Sequence, residues 1–210
     1  MYVPQHFEMS KTPVLHDFIQ RNPLGSWVIW GREGLDANHI PFLIDRNRGE
    51  FGTLMGHVAR ANPVWKESSA GTRSMVIFCG PQGYISPNWY PSKRDKGMVV
   101  PTWNYCVVHA HGTPRVIEKK TWLRDHVAQL VDVHESSQAV PWKVDDAPSE
   151  FIDKMLNAIV GIEIPISRLV GKWKVSQNRS EVDRQGVVAG LRAKGDEVSA
   201  SMAGLVEESR

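Results

Sequence analysis

Four short stretches concentrate side chains able to do chemistry: "GTLMGHVARANPVW", "SPNWYPSKRDK", "VPTWNYCVVHAHG" and "GKWKVSQNR". Read as a strand, the first puts Thr53, Met55, His57 and Ala59 on one face and Leu54, Gly56, Val58 and Arg60 on the other. Gly56 has no side chain, so a ligand or a second backbone can come close beside His57, and Arg60 and Asn62 stand where Pro63 ends the run. Together these residues could bind a phosphate and orient a ring. A core histidine beside a surface arginine is the plain structural alternative. In the second stretch, Pro87 and Pro91 stiffen a loop carrying Trp89 and Tyr90, followed by Ser92, Lys93, Arg94 and Lys96. Such a loop can lie against a flat ring and hold an anionic tail, or it can simply cap a core.

The third stretch aligns Tyr105, Val107, His109 and His111 on one strand face. Two histidines without a third ligand make a poor metal grip, so no metal site is expected. Thr102, Trp103 and Asn104 bring a hydroxyl, a ring and an amide to the start of that strand, which suits a polar aromatic ligand. In the fourth stretch Lys172 and Lys174 project to one side, and Trp173 and Val175 to the other. Ser176, Gln177, Asn178 and Arg179 then lead into a helix whose N-terminus favours an anion; a capped surface helix is the alternative. A weaker fifth candidate is "ANHIPFLID", where Pro41 interrupts the ladder beside His39. The chain has no P-loop, G-x-G-x-x-G, H-E-x-x-H or G-x-S-x-G signature, which removes the commonest nucleotide hydrolases, dinucleotide dehydrogenases, zinc proteases and serine hydrolases. No catalytic residue is assigned.

These stretches sit in a β-rich frame. "PVLHDFIQRNP" reads as a helix capped by Thr12, and short runs from Trp27 to Tyr105 read as a meander in which "SMVIFCG" and "GYIS" are separate strands. "NYCVVHAHG" and "PRVIEKK" are expected to pair as a hairpin turning at Gly112-Thr113. Helices follow over "TWLRDHVAQLVDVHE" and over "PSEFIDKMLNAIV" with Ser149 as its cap, then a strand through "IEIPISRLVGKWKVSQ". Ser180 and Asp183 form an S-x-x-D box opening a last helix that Gly195 stops. Residues 1–195 are taken as a single domain, and 196–210, weakly patterned, as a polar C-terminal tail that packs loosely.

Across 210 residues, 41% are hydrophobic and 23% charged, an ordinary globular composition. A net charge of +2 is too small for the electrostatic footprint of a nucleic-acid-binding face. No run approaches the roughly 18 apolar residues a spanning helix needs, and the N-terminus lacks a basic head with an apolar core. The expectation is a cytoplasmic protein without a membrane segment, with Cys79 and Cys106 as reduced thiols.

The motifs "HIPF", "GTLMGHVARANP", "GYISPNWY", "VPTWNY", "GIEIPISRLVGKWKVSQNR" and "DRQGVVAGL", in this order over nearly the whole chain, resemble those of the PaiB family, described as FMN-binding negative transcriptional regulators. That family belongs to the flavin-binding split-barrel group, which includes pyridoxamine phosphate oxidases. The resemblance implies a mainly β, α+β fold: a six-stranded antiparallel split β-barrel with peripheral helices. It further implies a homodimer holding FMN at the subunit interface. By position it makes His57, Arg60, Asn62, Trp89, Lys93, Thr102, Trp103, Asn104, Lys172, Gln177 and Arg179 the lining of the flavin site.

The implied role is regulation, through sensing of flavin or its redox state. One alternative is a flavin-dependent oxidoreductase acting on a small substrate with His39 or His57 nearby. Another is a haem-handling split barrel with His57 or His109 as axial ligand. For DNA there is no recognisable reading module: "SQNRSEVDRQGVVAGLRAKG" lacks a partner helix at turn spacing. DNA contact would then be weak and salt-sensitive, centred on Ser92 to Lys96 and the last helix.

Overall fold

A computed structural model describes residues 1–67 and 71–209. In chain order the elements are β1 (Glu8–Met9), α1 (Thr12–Arg21), β2 (Leu24–Gly31), β3 (Gly34–Pro41), β4 (Leu43–Asp45), β5 (Thr53–Ala59), α2 (Val64–Glu67) and β6 (Ser74–Ile85). There follow α3 (Lys93–Lys96), β7 (Thr102–Gly112), β8 (Arg115–Ile117), α4 (Lys120–Glu135), α5 (Ser149–Asn157), β9 (Ile159–Lys174), α6 (Glu181–Arg192) and α7 (Glu197–Glu208). The strands hydrogen-bond in the order β3-β2-β6-β7-β9-β5-β4, with β1 and β8 also on β9, and every assigned register is antiparallel.

The chain forms two compact units. The first comprises Met1–Phe18, Cys79–His109 and Val170–Arg210, and the second Ile19–Phe78 and Ala110–Leu169. In the second unit, β2 and β3 form a hairpin whose register pairs Gly31 with Gly34, leaving a two-residue turn. Gly34 has φ +113°, a conformation open to glycine and strained for other residues. Leu54 and Val58 of β5 point into a core with Trp27, Ile29, Phe42, Phe78, Ile162 and Ile164. Burying each such side chain stabilises the fold by about 1.5–3 kcal/mol. A satellite cluster of Leu123, Val144, Ile152 and Leu156 packs beneath α4 and α5. In the first unit, Leu15 and Phe18 of α1 lie on β9, the Phe18 ring 4.9 Å from Trp173 and tilted 57°.

Several expectations are corrected. There are nine strands among the described residues, not six. "SMVIFCG" and "GYIS" are one strand, β6. Its burial alternation changes phase around Gly80-Pro81, with Ser74, Val76 and Phe78 buried before that point and Gly83 and Ile85 after it. The anticipated β7–β8 hairpin does not form: β8 pairs with β9, matching Arg115 to Glu163 and Ile117 to Gly161. Ser149 is the first helical residue of α5, and Pro148 occupies the cap position without a side-chain bond. The segment after Gly195 is a helix, not loosely packed chain: Asp196 caps α7 by accepting from Ser199 N, and Met202, Ala203 and Val206 are buried. Arg210, the last residue of the expected tail, lies outside the described residues.

Candidate functional site

The C-terminal end of β9 in the first unit gathers cations that close no ion pair among the described residues, with the Asp183 carboxylate near enough to Arg179 to be stabilised by its charge. Lys172 is only 8% exposed; its Nζ donates to the carbonyl of Tyr2 at 3.1 Å and lies over the rings of Tyr105 (5.2 Å) and Tyr2 (5.8 Å). Lys174 donates to Thr102 Oγ1 and to the carbonyl of Trp103, the latter at 2.6 Å. Burial lowers the Lys174 pKa, and the positive charges of Lys172 and Arg179 lower it further. Lys172, Lys174 and Arg179 form no ion pair among the described residues. A cluster of three cations without a direct ion pair favours an anion.

The turn after Lys174 is built to hold this geometry. Ser176 adopts φ 65°, the left-handed region that a residue with a side chain enters at a cost of about 1–3 kcal/mol. Asn104 and Ser176, both buried, hold it there: Asn104 Nδ2 donates to Ser176 Oγ at 2.9 Å. Gln177 closes the turn by accepting from Val175 N (2.8 Å) and donating to the carbonyl of Trp173 (2.6 Å). Arg179 N then donates to the Ser176 carbonyl, and Ser180 Oγ accepts from Asp183 N to open α6. Beside the cluster stand two exposed rings, Trp103 and Tyr84, edge to face at 6.1 Å.

The loop "SPNWYPSK" docks on α6. Gly186 and Gly190 leave the space: a Cβ at Gly190 would meet the Trp89 ring at 2.2 Å, and one at Gly186 the Trp89 carbonyl at 2.0 Å. Ser92 donates from N (3.1 Å) and Oγ (2.8 Å) to the Asp183 carboxylate, and Arg179 lies over the Tyr90 ring at 4.9 Å. Lys93 reaches back to Asn88 Oδ1 at 2.5 Å. Trp89 therefore braces α6, and through it the position of Arg179.

The remaining predicted residues, His57, Arg60 and Asn62, belong to the second unit. Phe42 and Ile40 occupy the space above Gly56. His57 Nδ1 faces His126 Nε2 at 3.2 Å, the His126 ring is stacked on Trp122, and burial lowers both imidazole pKa values, that of His126 to about 4 with a further push from His57. Arg60 donates to Glu118 (2.6 Å) and to the carbonyls of Asn157 and Ile159. Asn62 bonds Asn38 and caps the start of α2 through Val64 N.

Sequence reasoning missed Tyr2, Tyr84 and His126. Strand alternation could have found Tyr84, exposed between buried Gly83 and Ile85. Nothing local announces His126, whose partner is 69 residues away.

This architecture is shared with solved proteins. The FAD and heme binding protein from Mycobacterium smegmatis superposes with a TM-score of 0.59 at 17% identity, covering 87% of this chain and 80% of that one. The fold is thus a split barrel. Residues 1–168 match the family described as "Putative FMN-binding domain". The chain is 29% identical over 208 residues to "Protease synthase and sporulation protein PAI 2" of Bacillus subtilis, covering 99% of this chain and 97% of that protein. It is 32% identical over 243 residues to an uncharacterized protein of Emericella nidulans, at 99% and 97% coverage. The chain belongs to this FMN-binding, PaiB-like family, and its cofactor is FMN or a related flavin.

Proposed function

We propose that the protein is a homodimeric regulator that holds FMN with its phosphate on Lys174 and Arg179. In this reading Lys172 supplies background positive charge, and the exposed rings of Trp103 and Tyr84 meet the isoalloxazine. The observation that carries it is the Lys172, Lys174 and Arg179 cluster, which lacks ion pairs among the described residues and is held by a strained turn. A phosphate there gains charge-assisted hydrogen bonds and relieves the repulsion that lowers the Lys174 pKa. Arg60, whose guanidinium is already engaged by Glu118 and two carbonyls, serves the fold.

Regulation runs through the flavin and not through a base-reading helix. The cations of α6 are engaged locally, Arg184 with Glu181 and Arg192 with Glu207, and Val187 and Leu191 are buried. The test is the visible spectrum of the purified chain before and after FMN addition, with acid release of the ligand and sedimentation to give mass. About one FMN per chain in a particle of twice the chain mass supports the reading. A colourless protein that stays colourless, or a monomer that holds flavin, overturns it.

A further inference from the structure

The second unit contains a cavity of about 710 Å³ that the flavin reading does not use. Small-molecule sites occupy roughly 300–1,000 Å³, so the space suits an organic ligand. Its apolar floor comes from Phe42, Leu43, Ile44 and Met55 of β4, β5 and the residue before β4. One wall is Trp122 of α4, and its position is fixed. The ring fills the space above Gly161, the indole N–H donates to Glu163 at 3.0 Å, and one face is stacked on His126 at 5.1 Å and 16°.

The charges of the lining do not cancel. Arg48 spends both terminal nitrogens on Glu163, at 2.7 Å each, so its charge is neutralised outside the cavity wall. Its Nε also pairs with Asp45 at 3.9 Å, which leaves two lining carboxylates, Asp125 and Asp132. Asp125 and Asp132 fall on one face of α4 with Gln129 between them, and both are exposed and without an ion pair among the described residues. A second observation points the same way. His126 lines the cavity and is only 3% exposed, its Nε2 is engaged by His57, and its Nδ1 has no hydrogen-bond partner. A buried polar atom left unpaired carries a desolvation cost that a ligand group can remove.

We infer that this cavity binds a primary amine carried on an aromatic or branched apolar body: the body rests on Phe42, Ile44, Met55 and Trp122, and the ammonium points to Asp125 and Asp132. In the tautomer that donates from Nε2 to His57, His126 Nδ1 is left as an unpaired acceptor on a residue of the lining. The cation also gains from the face of Trp122. An anion of the same shape faces Asp125 and Asp132, while the lining cation Arg48 is already taken by Glu163 and Asp45, so the anion binds more weakly.

The test uses the full-length protein and three probes of matched shape: phenethylammonium, phenethyl alcohol and 3-phenylpropionate. Binding is followed by calorimetry and by the indole N–H resonance of Trp122. The expected result is saturable binding of phenethylammonium that shifts the Trp122 resonance, and at least tenfold weaker binding of the alcohol and of the acid. Affinity for the amine falls at least tenfold in the double variant Asp125→Asn, Asp132→Asn, which alters exposed positions and leaves the fold intact. Equal binding of amine and acid, an unmoved Trp122 signal, or full affinity in the double variant overturns the inference. Both flavin-loaded and flavin-free protein are titrated, so loss of the flavin reading leaves this result standing.

Discussion

In the second unit Arg48 meets the buried carboxylate of Glu163 through two parallel hydrogen bonds, Trp122 adds a third, and Arg60 is wholly engaged by Glu118 and carbonyls. In the first unit Lys172, Lys174 and Arg179 meet carbonyls, a hydroxyl and aromatic faces, and no acid closes an ion pair with them among the described residues. Arg48 holds the Glu163 pKa below the usual carboxylate value against the opposing effect of burial, whereas burial and neighbouring cations lower that of Lys174. One arrangement is complete within the chain and stabilises it. In the proposed reading the other is completed by an anion, and its turn is strained at Ser176, as befits a binding site more than a structural ion pair.

The largest effect that separates the two lies in the second unit and is driven by pH. His57 and His126 bind protons less readily in the folded chain than in the unfolded one. Their contribution is therefore fully favourable above the ordinary value of 6.5 and is lost as pH falls through the window from 6.5 to about 4. For His126 alone this is about 3 kcal/mol on the order-of-magnitude scale of 1.36 kcal/mol per pH unit. Urea denaturation between pH 7 and 5 should show a stability slope that is shallower in His126→Gln. Parallel slopes would remove the histidine pair from the account.

Next in size, Arg48→Met leaves Glu163 buried with only the Trp122 N–H. A loss of about 2–3 kcal/mol is expected, at or below the range for a fully buried pair because Arg48 is 43% exposed, with no change in flavin affinity. Lys174→Ala should do the reverse. FMN affinity falls by about 1.5–2 kcal/mol, roughly 10- to 30-fold, while the denaturation midpoint holds steady. If stability drops and affinity does not, the cluster is structural. The smallest effect is that of Gly190→Ala: the new methyl displaces the Trp89 ring, and after the gain in helix propensity the net loss is about 1 kcal/mol. The indole N–H resonance of Trp89 would report whether the loop leaves α6.

The sequence made much of this legible where a signal is local. The alternation of "GTLMGHVA" put Leu54 and Val58 on one face, the Ser180–Asp183 pair marked the start of α6, and "KWKVSQNR" showed its cations. The Asp183 carboxylate, however, also accepts twice from Ser92, a long-range contact that spacing cannot reveal. The same holds for Gly186 and Gly190, which read as weak helix formers until Trp89 is laid across them. β6 looked like two strands because a proline and a glycine interrupt its alternation, and β8 looked like a hairpin partner of β7 because proximity in sequence is the commonest pairing rule. α7 escaped notice because its apolar residues are small and spread among serines and acids, and only packing decides their fate.

Whether the cations at the end of β9 hold the flavin phosphate is decided by a paired titration of flavin-free protein with FMN and with riboflavin, which lacks that phosphate. FMN should bind at least tenfold more tightly than riboflavin, and that gap should collapse in Lys174→Ala while surviving in Arg60→Ala. A gap that persists in Lys174→Ala, or one that vanishes only with Arg60→Ala, would place the phosphate elsewhere and contradict the account.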